Sequence, residues 1–349
     1  MKKRFCTPFV LFALVLLCTC ALKAQDKHFT QFYAMPQALN PALAGSMEGR
    51  YRINSIYRDQ WRAVLDYPIN TFAVGSDLRF DSPFRKMKDD AVGVGLMFFN
   101  DKVKVIDFST TQIALALAYH KSLGSNNRQF LSLGMQGGLT QRNLNYASLN
   151  FEDEFDGLTG YTMGTGEELP ENNFSYGDFN VGLNYTLRYG RYGAIFAGAA
   201  LHHVFEPQVS FYANSGEGDN LHMKASAQFS AQVPLSRDNH ISLLPRVLVA
   251  RQGPHMEINS GANVRFVLGQ FGGNALQLGS WVRTVRNEKG MGLDAVVALV
   301  GIELNSFMVG LSYDLNLAAI QAGQRQSAFE ISVTYLGNYD NDEILCPKF

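Results

Sequence analysis

Beyond its first residues the chain has almost no cysteine. Of four in 349 residues, Cys6, Cys18 and Cys20 fall at the very start and only Cys346 lies further on. A chain that loses that start can form no internal disulfide framework. Charge is sparse as well, with 17% charged residues and a net charge of -1, so no basic stripe invites nucleic acid as a partner. After residue 24 no apolar run is long enough for a membrane helix. No Gly-x-Ser-x-Gly, no phosphate loop and no metal-spaced Cys or His set occurs, so neither an enzyme nor a cofactor is expected. Ser226 and His222 share one side of one strand, but four residues apart they are too distant for a direct hydrogen bond.

What is present is alternation. From Met256 to Val285, the residues Met256, Ile258, Ala262, Val264, Phe266 and Leu268 fall between Glu257, Asn259, Asn263 and Arg265. After the turn Gln270 to Asn274, Leu276, Leu278 and Val282 alternate with Gln277, Trp281 and Arg283. Period two marks a strand whose faces meet different surroundings. Long antiparallel strands with one apolar and one polar face suit a transmembrane β-barrel, apolar side outward. Apolar residues make up 46% of the chain, so hydropathy alone would read as soluble. That is the expected disguise of a barrel, in which lumenal residues dilute lipid-facing ones.

Residues 1–24 read as a signal peptide: Lys2, Lys3 and Arg4, then an apolar core from Phe9 to Leu17, then Leu22-Lys23-Ala24 before a cut ahead of Gln25. A lipoprotein reading through Cys18 or Cys20 is disfavoured by Leu17 and Thr19 before them. Residues 25–48 form a leader broken by Pro36 and Pro41. Two readings stand for it: a flexible periplasmic segment, or one tucked into the barrel lumen.

Residues 49–337 supply about fourteen strands, an even number as bacterial single-chain barrels require. They fall near 51–59, 69–80, 91–100, 108–120, 129–141, 176–189, 192–203, 221–233, 240–251, 255–269, 275–286, 291–304, 306–316 and 327–337. Odd-numbered connections include the long ones, Asn143–Ser175, Val204–Asn220 and Leu317–Gln326, and even ones are short apart from Asp81–Asp90. Short periplasmic turns and longer outer loops are the habit of such barrels. Residues 338–349 form a periplasmic tail, in which Pro347 fixes the approach of Phe349 and Cys346 is a small packed hydrophobe or a reactive thiol.

Several clusters carry competing readings. The Asn143–Ser175 loop holds Glu152, Asp153, Glu154, Asp156, Glu167, Glu168 and Glu171 without a Lys or Arg. A solvated surface is favoured over calcium. Adjacent strands could bring His202 and His222 together at a rim, which is weak support for zinc. Arg79, Arg85, Lys86 and Lys88 surround the second connection as a basic periplasmic turn. Phe151, Phe155, Tyr161, Phe174, Phe205 and Phe211 are the outward aromatics available to bind a partner. The lumenal faces are mostly Asn, Gln, Ser, Gly and Thr with scattered charges, which favours a packed or plugged interior over a diffusion pore. Phe266→Arg on the lipid face is expected to cost more than Asn263→Arg on the lumenal one.

The two ends can be read together. Phe29-Thr30-Gln31-Phe32-Tyr33, then Leu39-Asn40-Pro41-Ala42-Leu43-Ala44-Gly45-Ser46, then Tyr57-Arg58-Asp59-Gln60-Trp61 resemble the PorP/SprF family of the Bacteroidetes type IX secretion and gliding apparatus. So do Gly310-Leu311-Ser312-Tyr313-Asp314-Leu315-Asn316, Phe329-Glu330-Ile331-Ser332 and the closing Cys346-Pro347-Lys348-Phe349. The resemblance implies an outer-membrane barrel set in lipid. Its implied partners are periplasmic and outer-membrane type IX secretion components, and a secreted surface protein or adhesin whose export or attachment it supports. Asn40-Pro41-Ala42 also occurs early in FadL-type transporters of hydrophobic compounds, the alternative reading, which the other motifs disfavour.

Overall fold

The computed structural model describes residues 26–62, 65, 67–81, 89–124, 127–212, 220–269, 273–287, 290–317 and 327–337. The expected signal peptide and tail, with Cys346, Pro347 and Phe349, lie outside the described residues, as do Arg85, Lys86 and Lys88.

Fourteen antiparallel strands close into one barrel. They are β1 Tyr51–Gln60, β2 Ile69–Asp81, β3 Ala91–Val103, β4 Phe108–Ser122, β5 Gln129–Leu144, β6 Asn173–Tyr189 and β7 Gly193–His202. The second half runs β8 Lys224–Pro234, β9 Ile241–Gln252, β10 His255–Leu268, β11 Asn274–Asn287, β12 Gly290–Leu304, β13 Phe307–Asn316 and β14 Ser327–Gly337. Each strand pairs with its sequence neighbours, and β1 closes on β14 with Tyr51 opposite Gly337 and Gln60 opposite Ala328. Closure leaves no membrane-embedded edge to satisfy.

The alternation dictates the faces. Leu115, Leu133, Leu278, Val300 and Leu311 are exposed on the outside, whereas Asn54, Gln136, Asn184, Asn263 and Glu330 are buried on the inside. So extensive an apolar exterior belongs in lipid. No helix among the described residues is long and apolar enough to cross a membrane; the chain crosses as strands. Tight turns such as Gly190 (φ 61°) and Asn305 (φ 51°) mark the periplasmic end, and the Asn145–Asn172 connection lies at the outer end, where β5 and β6 close on a Leu144 N–H bond to the Asn172 carbonyl.

Two sequence expectations need correction. Leu221 to Met223 do not belong to β8: Leu221 is buried, its N–H bonded to the Pro207 carbonyl, beside the bridge of Asn220 with Gln208. That stretch is the returning limb of a loop folded on itself. In addition β3, β5 and β6 run three residues further at their outer ends than alternation suggests. Above the membrane the lipid-facing rule no longer applies, so the pattern fades before the ladder does.

Candidate functional site

The interior of the barrel is occupied by the chain's own leader. From Phe29 to Met47 every side chain but Ala38 is buried. The two prolines explain the compact path. Pro36 opens a one-turn helix, Pro36–Leu39, and Pro41 opens a 3-10 turn, Pro41–Leu43; proline is pre-set for both first positions. Asn40 joins them. Its backbone N–H closes on the Pro36 carbonyl, and its side-chain oxygen accepts the Ala42 N–H at 2.9 Å. Its amide then donates to the Leu183 and Ala199 carbonyls at 3.0 and 3.2 Å, tying the leader to β6 and β7. Lower down, the wall must be bare: a Cβ at Gly93 would lie 1.9 Å from the Ala44 carbonyl oxygen. Gly45, at φ 69°, donates its N–H to Asp77, which also holds Arg52 at 2.6 Å.

The densest contact lies where the barrel closes. Glu330 on β14 accepts the backbone N–H groups of Thr30 and Gln31 at 2.8 and 2.9 Å and pairs with Arg58 on β1. The Thr30 hydroxyl donates to Asp314 at 2.7 Å, and Arg283 reaches Asp314 at 2.9 Å and Asp294 at 2.6 Å. The Gln31 amide donates to Ser312 at 3.1 Å and accepts from Ser332 at 2.7 Å. Gln31, Arg58 and Asp314, singled out by the family resemblance, thus meet in one buried network. So paired, these charges are tolerable away from water; singly they would not be.

An apolar anchor sits beside it. Phe32 meets Trp281 edge-on at 5.5 Å, Tyr33 stacks on Trp281 at 6.0 Å, and Arg246 lies over Tyr33 at 3.9 Å. Trp281 Nε1 donates to Asn263 at 2.9 Å, and Asn263 in turn donates to Gln277 at 3.1 Å. Asn263 is fully buried. Asn263→Arg would therefore have to break both of these bonds.

The leader runs downward. Its first described residue, Asp26, sits at the outer mouth, and Glu48 pairs with Arg188 near the periplasmic turns. Of the two readings of the leader, its path from the outer mouth to the periplasmic turns agrees with the lumenal one. Asp26 and Asp178 grip His203 from both sides at 2.7 and 2.9 Å, and Lys224 approaches Asp26 at 3.5 Å. His203 follows the last residue of β7 with φ 55°. Burial opposes its charge, but the two carboxylates outweigh burial and push its pKa up to about 9. A cavity of about 200 Å³ lies beneath, lined by Lys27, His28, Arg142, Asp178, Lys224 and Glu257 among others. A second, of about 610 Å³, opens at the periplasmic mouth around Glu48, Arg52 and Arg188.

The other expected residues scatter. His202 lies opposite Lys224 in register, and the His222 carbonyl accepts from Gln252. Arg79 is buried and donates to the Gly45 carbonyl at 3.2 Å; it holds the leader instead of decorating a turn. In the acidic loop Asp156 accepts from Thr159 and from the Leu158 and Gly160 N–H groups, which hold it well below the usual carboxylate range. Asp153 is lowered too, chiefly by the Gly166 N–H. Phe155 packs on Tyr161 at 5.4 Å, Phe174 on Phe211 at 4.8 Å and Phe205 on Phe179 at 5.4 Å, while Phe151 is half-buried. Of the remaining motif residues, Gln60 accepts from Arg58 at 3.4 Å and Trp61, at φ 66°, ends β1. Tyr313 faces outward, and the Tyr57 hydroxyl accepts from Asn70 at 2.8 Å. Glu330 lies in the motif Phe329-Glu330-Ile331-Ser332, but nothing in sequence ties it to Arg58, and Arg283 resembles any charged strand residue.

Comparison with known proteins adds a family. A model described as type IX secretion system membrane protein PorP/SprF matches residues 21–335. Among solved structures, the chain is similar to a deltaS2 mutant of the TodX monoaromatic hydrocarbon channel, at 11% identity over 86% of this chain and 93% of that one, with a TM-score of 0.51. The Pseudomonas putida toluene transporter TodX aligns at 11% identity over 87% and 93%, TM-score 0.49. A Pseudomonas aeruginosa FadL homologue aligns at 10% over 85% and 92%, TM-score 0.46. At such identity, the first of these shows a shared barrel fold and nothing about cargo. No curated protein matches the chain.

Proposed function

Because the chain belongs to the PorP/SprF family of type IX secretion system membrane proteins, an outer-membrane barrel by its fold, we propose that it serves the secretion and gliding machinery as a scaffold supporting export or surface attachment of a partner protein. The observation that carries this reading is the filled lumen. Phe29 to Met47 occupy the interior through hydrogen bonds to β6, β7, β13 and β14, so the barrel offers partners its two mouths and its rim. A FadL-like transporter of hydrophobic solutes would need an apolar path, whereas this interior is crossed by the Arg58, Arg283, Asp314 and Glu330 network. In this reading the outer partner is a secreted surface protein or adhesin, and the inner partners are secretion components at the periplasmic turns.

The test pairs two assays on a strain lacking the chain. Surface display of secreted proteins is expected to fail while uptake of small hydrophobic solutes stays normal. Replacing Phe151, Phe155 and Tyr161 with Ser is expected to keep the barrel in the membrane and reduce display. Normal display with defective uptake would transfer the function to the transporter.

A further inference from the structure

β6 is 17 residues long, but its partner β7 has only 10. Their ladder begins at Val181 opposite Leu201 and runs toward the periplasm. Above it β6 pairs with β5 alone, as far as Asn173 opposite Asn143. About eleven tilted residues cross a bilayer, which counted up from Tyr189 reaches Phe179. Asn173 to Asp178 therefore lie above the bilayer on its outer side.

Their free side can be worked out. The Phe179 carbonyl accepts from Val204 on the β7 side, while the Asn172 carbonyl accepts from Leu144 on the β5 side. A strand's backbone groups alternate in direction, so odd residues point toward the β7 side. The N–H and C=O groups of Asn173, Ser175 and Gly177 thus form an edge that nothing pairs among the described residues, and all three residues are exposed.

The fold keeps this edge open at a cost. β7 would continue along β6 if it stayed extended beyond His202. Instead His203 and Glu206 both take left-handed conformations, at φ 55° and 43°, that non-glycine residues disfavour. The bond to the Phe179 carbonyl comes from Val204, one residue late, which is a bulge that turns the chain off the ladder. Asp26 and Asp178 clamp His203 in that turn.

We infer that the β6 edge over Asn173–Asp178 is a strand-addition site for an extended, Lys- or Arg-bearing segment of an exported protein. The inference rests on the scaffold function proposed above. Three outward N–H groups and three carbonyls at two-residue spacing match only an extended backbone. The sign of the partner's charge follows from the loop that crowns the edge: Glu152, Glu167, Glu168 and Glu171 are exposed there, and Asn145–Asn172 holds no Lys or Arg. The same charge disfavours a second copy of this chain, since edge-to-edge pairing would bring two acidic loops together.

Proline at Ser175 removes one outward N–H and leaves the β5–β6 bonds intact. The full chain in detergent is titrated with a labelled peptide of alternating Thr and Lys, about twelve residues long, with its Thr/Glu counterpart and with a backbone N-methylated form. The Lys peptide is expected to bind, and to weaken about tenfold, or one edge hydrogen bond and its neighbours, with Ser175→Pro or N-methylation, but not with Ser175→Ala. Rising salt should weaken it further. Equal binding to Ser175→Pro, or of the acidic peptide, would overturn the site. A wild-type dimer abolished by Ser175→Pro would assign the edge to a second copy. In cells, loss of display in the deletion strain with full display by Ser175→Pro refutes the edge alone; normal display in the deletion strain refutes the scaffold function instead.

Discussion

Arg58 and Glu330 stand opposite each other in register across the β1–β14 seam, and Glu330 also takes the backbone N–H groups of Thr30 and Gln31. One ion pair therefore joins the first strand, the last strand and the leader. Arg58→Leu strips a buried carboxylate of its partner and is expected to cost about 3–5 kcal/mol. The double variant Arg58→Leu with Glu330→Gln should lose less, because no uncompensated charge is left. Urea midpoints of the refolded barrel in micelles check both. A single variant as stable as the parent would mean that the pair is not holding the seam.

The two wall faces should respond alike to a new charge, for different reasons. Val300 lies on the exterior between Leu278 and Leu311, so Val300→Arg is expected to cost about 2–4 kcal/mol in a bilayer. Asn263→Arg should be no cheaper, since it displaces the bonds to Trp281 and Gln277 at a fully buried position. Refolding yield into vesicles and urea titration compare them. A neutral Asn263→Arg would contradict the packed lumen.

Gly93 touches the leader so closely that any Cβ collides with the Ala44 carbonyl. Gly93→Ala is expected to loosen the seating of residues 43–46, and deletion of Phe29 to Met47 to open the lumen. In planar bilayers the parent should insulate, the deletion should conduct, and Gly93→Ala should show intermittent openings. A deletion variant that folds and still insulates would show that something else blocks the barrel.

The clamp on His203 should weaken in alkali. Its folded pKa of about 9 lies above the ordinary histidine value. Its contribution is therefore complete below about 6.5 and is lost as pH rises through 9. Hydrogen exchange at the Val204 N–H, normalised for the intrinsic rate, should accelerate across that window, and His203→Gln should abolish the dependence. Flat protection from neutral pH to 10 would place the positive charge elsewhere.

Strand order and number were legible because lipid imposes strict alternation on every segment that crosses it. The same reason explains where legibility ended. Phe174 and Tyr176, stacked at 6.1 Å on the inner side of β6, lie above the membrane where aromatics no longer mark an exterior. The leader could be read two ways because Gln31, Gln37 and Asn40 suit water as well as a polar lumen; only the wall that receives them decides. Arg58 and Asp314 drew notice through resemblance alone. Their neighbours Glu330 and Arg283 come from distant strands, and no local spacing encodes a contact made by barrel closure. His203 marks a strand end in sequence, but its left-handed turn and its two carboxylate partners leave no trace there.

The leader's direction bears on the order of events in assembly. Asp26 is at the outer mouth and Glu48 at the periplasmic one, with bends at Pro36 and Pro41 and bonds to strands all around the wall. A segment so held cannot be threaded into a finished cylinder without breaking most of those bonds on the way. Seating of the leader and closure of β14 on β1 are therefore expected to be coupled, since Glu330 takes the Thr30 and Gln31 N–H groups together with Arg58. The leader thus carries, in Thr30 and Gln31, the groups on which the β1–β14 seam is fastened.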